Sequence, residues 1–175
     1  MAHQCSGSMW WDPNPARERV GMLCAVLAIA VTGCSGTASE GPPPAPEILQ
    51  AIKARQSNYK EIGGAFKSIS DELKSAVPDI NSVGPAAREI LARAQNQLQF
   101  FPAGSGPESH AKTRAKPAIW ADFTAFTQAH EKFVSSAQQL SDAFAAGADR
   151  TALSQRSAAL GETCKACHDR FRVPD

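Results

Sequence analysis

The feature that most constrains this chain is a helical periodicity of apolar residues that recurs in four separate segments. Within each segment the apolar residues return at steps of three and four, which places them on one face of a helix. No window shows sustained alternation at a period of two, so β-strands are not expected. Four amphipathic helices with short or moderate connections favour an antiparallel, up-down-up-down four-helix bundle. The sequence therefore predicts an all-α fold.

Residues typical of helix N-termini indicate where three of the four helices begin. The second helix is expected to begin near Gly84 and Pro85, because proline suits a first helical turn, and the third to run unbroken from near Pro117. Asp149 or Thr151 is expected to cap the fourth. The expected inward-facing residues of the four helices, in chain order, are Ile48, Ile52, Arg55, Tyr59, Ile62, Phe66, Ile69 and Leu73; Ala87, Leu91, Ala94 and Leu98; Ile119, Phe123, Phe126, His130, Phe133, Ala137, Leu140 and Phe144; Leu153, Ser157, Leu160, Cys164, Cys167 and Phe171.

Composition limits the possible functions. The chain has 175 residues and a formal net charge of +1, which suits one folded domain and gives no strong field to recruit nucleic acid. The glycine patterns of nucleotide-binding loops do not occur in the sequence. Its acidic residues are dispersed along the expected helix surfaces, without a pair placed for acid–base catalysis, so an enzyme is not expected.

The first 33 residues are typical of an export signal. Arg17 and Arg19 precede an apolar run at 20–31 that is short for a membrane span but suits a signal peptide. Val31-Thr32-Gly33-Cys34 resembles the lipobox of bacterial lipoproteins, so residues 1–33 are predicted to be a signal peptide and Cys34 a lipidated N-terminus. An ordinary signal peptide and an uncleaved anchor are the alternatives.

The predicted cleavage simplifies the mature protein. Residues 34–46, rich in Gly, Ser and Pro, are expected to be a tether, and residues 47–175 to be the helical bundle. All three methionines lie before Cys34, so the mature chain would contain none. Apart from Cys34, its cysteines would be Cys164 and Cys167.

Cys164, Cys167 and His168 form a C-x-x-C-H motif near the C-terminus. A thioredoxin-type disulfide is one interpretation, but that motif accompanies a βαβ pattern. A zinc site is another, but it needs further ligands at motif spacing. Covalent haem is the third, because C-x-x-C-H is the attachment signal for c-type haem. An export signal and an all-helical chain favour the third.

The chain resembles the cytochromes c′, four-helix c-type cytochromes whose haem motif lies near the C-terminus. The resemblance covers residues 46–172 and is carried by three stretches in the family's order: "ARQSNYKEIGGAFKSI", "FFPAGSG" followed by "AKPAIW", and "CKACHDRFR". The lipobox and the proline tether depart from the usual soluble form, which implies attachment to a membrane.

The resemblance implies one haem c, bound covalently through Cys164 and Cys167, with His168 as the proximal iron ligand. It places Arg172 beside the imidazole and the haem propionates; a solvated charge at the helix end is the alternative.

On the distal side, the resemblance implies that Tyr59 faces the iron and that Arg55 lies one turn before it. Ile62 and Phe66 would complete an apolar wall.

The other axial position decides the function. Without a methionine, the iron is expected to be five-coordinate and high-spin. Tyr59 is expected to pack over the haem without ligating it. His130, in the core stripe, is expected to be a buried hydrogen-bonded histidine and not a sixth ligand, and His110 is expected to be exposed.

The resemblance implies binding of nitric oxide and carbon monoxide, with capture or carriage of nitric oxide as the role. A membrane-tethered electron-transfer cytochrome with an unidentified redox partner is the alternative. A homodimer through the first two helices is expected. Gly63 and Gly64 lie mid-helix, which predicts close approach of the haem, of a neighbouring helix or of a second subunit. The expected location is the periplasmic side of a bacterial membrane, lipid-anchored, or soluble in the periplasm.

Overall fold

The computed structural model describes residues 43–174. The predicted signal peptide, the lipobox with Cys34 and most of the predicted tether lie outside the described residues. The helices of the described part are α1 (Pro46–Lys74), α2 (Ile80–Gln95), α3 (Ala118–Ala121), α4 (Phe123–Ala145) and α5 (Arg150–Phe171), with 3₁₀ turns at Leu98–Phe100 and Pro107–Ser109. No strand occurs within residues 43–174, which confirms the all-α prediction.

The four long helices form an antiparallel bundle. Helix α1 packs on α2, α2 on α4, and α4 on α5, while the contact between α5 and α1 that closes the ring is the sparsest. The main core lies between these helices and is built from fully buried aliphatic and small side chains, including Ile69, Ile90, Leu140, Leu153 and Leu160. A second, aromatic cluster of Phe101, Ile119, Phe126 and Phe171 lies at the end of the bundle that α3 covers. The opening between α1 and α5 is therefore where the bundle leaves space.

Helix α2 begins earlier than the sequence predicted. It starts at Ile80, because the carboxylate of Asp79 accepts a hydrogen bond of 3.1 Å from the amide of Asn81 and caps the helix. Pro85 therefore lies inside the helix, on its exposed side, and not in the first turn. The predicted second stripe also ran too far, because α2 ends at Gln95 and Leu98 belongs to the following 3₁₀ turn.

The third predicted helix is broken at Asp122. The backbone of Asp122 leaves the helical region (φ −139°, ψ 69°), and its carboxylate accepts a 3.0 Å hydrogen bond from the amide of Ala125. This residue thus ends α3 and caps α4, which the apolar periodicity alone did not indicate. Phe123, predicted to face the core, is 42% exposed.

Helix α5 begins as predicted. Asp149 caps it by accepting a 2.8 Å hydrogen bond from the amide of Ala152. Beyond its last residue, the chain pairs with the segment at 114–116: the amide of Lys116 donates to the carbonyl of Phe171 (2.9 Å), and the amide of Val173 to the carbonyl of Arg114 (2.8 Å). We call this pairing the C-terminal bridge.

The glycines of α1 and α2 have different surroundings. A Cβ atom added at Gly63 or Gly64 would meet nothing within 4 Å, so the predicted close approach of a neighbouring helix is wrong. Haem or a second subunit remains as the predicted neighbour. A Cβ atom at Gly84 would lie 2.1 Å from Cε1 of Phe144, so α2 and α4 approach closely only because residue 84 has no side chain.

Among residues 43–174, no helix combines the length and the hydropathy that crossing a bilayer requires.

We predict that Gly84→Ala destabilises the fold and Gly64→Ala does not. Alanine at position 84 forces the Phe144 ring out of its site, which typically costs about 1–3 kcal/mol, more than the helix-propensity gain of up to about 1 kcal/mol. Gly64→Ala meets open space and retains that gain. The measurement is the unfolding free energy in urea at one fixed protein concentration. Equal effects of the two variants would contradict the predicted contact.

Candidate functional site

A cavity of about 830 Å³ lies at the opening between α1 and α5. This volume is within the usual range for sites that hold a small molecule or a cofactor. Its walls are formed by α1, α4, α5 and the connection between α2 and α4. The lining residues that the sequence analysis had selected as cofactor-binding are Arg55, Tyr59, Ile62, Phe66, Cys164, Cys167, His168 and Arg172. The structure thus brings all of them to one cavity.

Helix α1 supplies one wall. Tyr59, Ile62 and Phe66 are spaced by three and four residues, so they share the face that points towards the cavity. Ile62 is buried, and the other two rings are half-buried with an edge at the cavity. The wall is therefore largely apolar.

Helix α5 supplies the opposite wall with two thiols. Cys164 and Cys167 are half-buried, are both free thiols and both line the cavity. Burial, followed by the charge of Cys164, raises the pKa of Cys167 to about 11, and burial also raises the pKa of Cys164. Both sulfurs are therefore protonated at neutral pH, which disfavours a reactive redox dithiol of low pKa. Among residues 43–174, no three His, Cys, Asp or Glu residues group as a metal site, which disfavours zinc.

His168 follows the second thiol and keeps an exposed edge. Partial desolvation lowers its pKa, and the positive charges of Arg172 and Arg114 lower it further. The neutral imidazole, which has a lone pair for a metal, is therefore favoured near neutral pH. The C-terminal bridge fixes both arginines near this ring: Arg114 donates from Nε and Nη2 to the carbonyl of Val173 (3.1 and 3.0 Å).

Arg55 is buried beside the cavity, with only 3% of its surface exposed. Its guanidinium donates to Oγ and the carbonyl of Ser105 (2.8 and 2.6 Å) and to Oγ1 of Thr113 (2.7 Å). It also lies 5.0 Å from the ring centre of Phe101. Burial lowers the pKa of Arg55, and Tyr59 and Glu108 oppose that shift. Arg55 thus ties α1 to the connection that forms the third wall.

The mouth of the cavity is basic. Its charged lining residues at the surface are Lys60, Lys112, Arg114 and Arg172, and no Asp or Glu of the described residues lines it. Such a rim suits the carboxylates of a bound group. The sequence analysis selected neither the two lysines nor Arg114 as site residues. Lys112 and Arg114 reach the site only because the loop that carries them folds back towards it.

His130 is buried on α4, with 6% of its surface exposed, and lines the cavity floor. Its imidazole lies near the backbone of Ala94, at the end of α2. Desolvation lowers its pKa, although Glu131 and the backbone of Ala94 act the other way. The prediction that His130 is buried is confirmed. His110 is exposed, as predicted, and has a positive φ of 57°.

The rest of the cavity floor is apolar and mostly aromatic. Sequence reasoning placed Ile119, Phe126 and Phe133 in the core without assigning them to the site, and it missed Phe101 altogether. The ring centres of Phe101 and Phe126 are 4.8 Å apart, and those of Phe126 and Phe171 are 5.3 Å apart. Phe101 follows the 3₁₀ turn and has no helical periodicity that could have identified it.

Comparison with known proteins assigns the chain to a family. The sequence profile of the family described as Cytochrome C′ matches residues 50–172. A curated relative, cytochrome c′ of Rhodospirillum rubrum, is 34% identical over 87% of this chain and 97% of its own length. This chain belongs to the cytochrome c′ family.

Solved structures of cytochromes c′ share the fold. The nitric oxide complex of the L16A mutant of cytochrome c′ from Alcaligenes xylosoxidans superposes with a TM-score of 0.65 at 26% identity, covering 73% of this chain and 97% of that one. A cytochrome c′ with an unusual ligand-controlled dimer dissociation superposes with a TM-score of 0.67 at 25% identity, covering 73% and 97%. These structures confirm the predicted four-helix bundle.

The cavity residues of this family member suit a c-type haem, the cofactor of the family. Two neutral thiols and a neutral imidazole meet at one wall, apolar rings form the floor and the opposite wall, and a basic rim surrounds the mouth. This donor set matches a flat, largely apolar group that carries its own metal and two carboxylates. It does not match a bare metal ion.

We predict that acid weakens this fold partly through His130. The pKa of His130 is lowered in the folded state. Its contribution to the unfolding free energy is therefore fully present above the ordinary histidine pKa of about 6.5 and is lost as the pH falls below that value. His130→Gln should reduce the loss of unfolding free energy between about pH 7 and 5, by at most about 1.4 kcal/mol per pH unit. Denaturant titrations at each pH measure this.

His110→Gln is the matched control, because His110 is exposed. It should not reproduce the effect of His130→Gln. An unchanged slope in His130→Gln would contradict the prediction.

Proposed function

We propose that this protein is an exported haem protein that binds the diatomic gases nitric oxide and carbon monoxide, with nitric oxide capture or carriage as its role. The observation that carries the proposal is the meeting of Cys164, Cys167 and His168 with the apolar α1 wall at one cavity. Membership of the cytochrome c′ family supports it.

In this proposal, Cys164 and Cys167 hold one haem c covalently and His168 is the proximal ligand. Arg172, with Lys60, Lys112 and Arg114 at the rim, neutralises the haem carboxylates. When bound, haem supplies an iron that takes a small ligand at its open position. The protein positions the group, excludes bulky ligands and limits access of water.

The distal wall supports selectivity for gases. Tyr59, Ile62 and Phe66 offer a buried to half-buried, mostly apolar surface on the α1 side of the cavity. The nitric oxide complexes known for the Alcaligenes xylosoxidans relative support nitric oxide as a ligand. The sequence of residues 43–174 contains no methionine for a sixth ligand, and His130 is buried in α4. A five-coordinate iron is therefore proposed.

Electron transfer with an unidentified redox partner remains the second prediction, and no feature of the cavity favours it over gas binding. That the protein is not an enzyme stays a prediction from the sequence, in which the acidic residues are dispersed along the helix surfaces.

Export, lipid attachment through Cys34, a tether at residues 34–46 and a location on the periplasmic side of the membrane belong to the same proposal. They depend on the sequence pattern of residues 1–46. A homodimer through α1 and α2 is proposed as well. It is supported by a relative whose dimer dissociation is controlled by a ligand.

We predict that optical spectra of the purified holoprotein are high-spin in the ferric and ferrous states and change on adding carbon monoxide or nitric oxide. The colour should stay with the polypeptide after denaturation, because the attachment is covalent. His130→Gln should give the same spectra, since His130 is not an iron ligand. Low-spin spectra that ignore both gases would overturn gas binding and favour electron transfer.

We predict that the mature protein in the membrane fraction begins at a lipid-modified Cys34. Mass spectrometry should give the mass of residues 34–175 plus lipid and haem, and Cys34→Ser should release the protein from the membrane. A mass that includes Met1 would contradict the lipoprotein proposal without affecting gas binding.

A further inference from the structure

The surface around the cavity mouth carries an excess of positive charge. Four basic side chains line the mouth, and no Asp or Glu of the described part of the chain lines the cavity beside them. On α1, Lys53 precedes Lys60 by two turns, so the two lysines share a face of the helix. In the loop, residues 109–121 contain three basic residues and no acidic one. What we call the basic face consists of Lys53, Lys60, Lys112, Arg114, Lys116 and Arg172.

The carboxylates close to the basic face are directed elsewhere. Asp169 pairs with Lys165, and Oε1 of Glu108 accepts from the amide of Gly106 (3.0 Å). Glu61 is exposed on α1, about 100° around the helix from its neighbour in the basic face. Within residues 43–174, no ion pair involves Lys53, Lys60 or Lys112.

The cofactor of the proposed function would offset only part of this charge. A haem carries two carboxylates, fewer than the three lysines just named. The basic face therefore stays positive when the cavity is filled. Positive charge concentrated on one exposed surface attracts an extended anionic surface, over about 8–10 Å at moderate ionic strength. A second anionic partner, beyond the group in the cavity, is therefore expected.

The basic face lies towards the end of the bundle where α1 begins. Nε2 of Gln56 donates to the carbonyl of Lys112 (2.9 Å), which places the loop beside the third turn of α1. This turn is about 15 Å along the helix axis from Pro46. The C-terminal bridge brings Arg172 to the same loop, at Ala115.

The proposed lipid is close to this end of the bundle along the chain. Cys34 precedes Pro46 by twelve residues, which reach at most about 40 Å. Helix α1, with 29 residues, is itself about 44 Å long. A lipid at Cys34 therefore favours the end with the basic face as the one nearer to the membrane.

We propose that the basic face docks on anionic lipid headgroups of the membrane to which Cys34 anchors the protein, with the cavity mouth turned towards the bilayer. The inference rests on the lipid attachment in the proposed function. Each lysine or arginine near an anionic membrane surface contributes roughly fivefold to binding. A basic patch alone gives a weak, salt-sensitive contact, whereas lipid and patch together give stable attachment. The lipid thus holds the protein, and the basic face orients it.

This orientation gives the cavity a supply of ligand. Nitric oxide and carbon monoxide are small and nearly apolar, so they enter hydrocarbon far more readily than ions do. A mouth at the level of the headgroups receives gas as it leaves the bilayer. The inference therefore identifies the membrane as the source from which the cavity is filled.

The test is amine labelling of the lipidated holoprotein in two kinds of vesicle, phosphatidylcholine alone and phosphatidylcholine with phosphatidylglycerol. Peptide mass spectrometry gives the labelling rate of each lysine. The anionic vesicles should slow labelling of Lys53, Lys60 and Lys112 severalfold, and about 0.5 M salt should remove the difference. Lys74, at the far end of α1, and Lys132, on α4, are exposed internal controls and should label alike in both.

Charge reversal provides the matched variants. Lys53→Glu combined with Lys112→Glu should abolish the difference between the two kinds of vesicle. Lys74→Glu combined with Lys132→Glu changes the net charge equally and should preserve it. If wild type labels equally in both kinds of vesicle, the inference is overturned, an acidic protein becomes the better occupant of the basic face, and lipid attachment and gas binding stand.

A holoprotein that proves to carry no lipid is tested by sedimentation with the same vesicles at about 10 mM salt, where the screening length is about 30 Å. Wild type should sediment with the anionic vesicles and not with phosphatidylcholine alone. The variant with Lys53→Glu and Lys112→Glu should sediment with neither. If wild type also sediments with neither, the docking inference is overturned together with the lipoprotein proposal, whereas gas binding is unaffected.

Discussion

The site depends on one buried guanidinium. Arg55 lies on α1, yet its hydrogen bonds run to Ser105 and Thr113, on a connection whose backbone has little regular structure of its own. A long loop needs such an anchor, because it lacks the internal hydrogen bonds of a helix and loses much conformational entropy when it is ordered. With Arg55 in place, the loop becomes the third wall of the cavity, and Phe101 is held against Tyr59 and Phe126. The bundle can then leave α1 and α5 apart without losing the enclosure between them.

The sequence predicted the helices and the principal site residues because both follow from local rules. Periodicity identifies the inward face of each helix, and that face carries Tyr59, Ile62, Phe66, Cys164 and Cys167 into one cavity. The errors lie where a single side chain overrides periodicity. Asp79 moved the start of α2, and Asp122 divided a helix that the apolar stripe presented as continuous.

The parts of the site that the sequence did not predict come from non-local contacts. Lys112 and Arg114 reach the rim only because the loop folds back, and Phe101 has no periodic neighbours. The polar chain from Arg93 through Asn58 to Gln97 joins residues of α1 and α2 with the 3₁₀ turn after α2. Nothing in the spacing of Asn58 and Gln97 indicates that their amides meet. Sequence reasoning therefore found the apolar face of α1, whereas the structure adds a polar network between α1 and the end of α2.

The C-terminal bridge has a consequence for the order of assembly. Residues 171–173 are synthesised after every other described element, and they pair with residues 114–116 at the edge of the cavity. Until they emerge, the segment at 114–116 lacks its backbone partners, and this side of the cavity has no seal. A chain in which residues 171–173 have not yet paired therefore presents an accessible opening, and its thiols are among the last groups of the described residues to arrive there. The C-terminal bridge thus couples the folding of the last described residues to closure of the cavity.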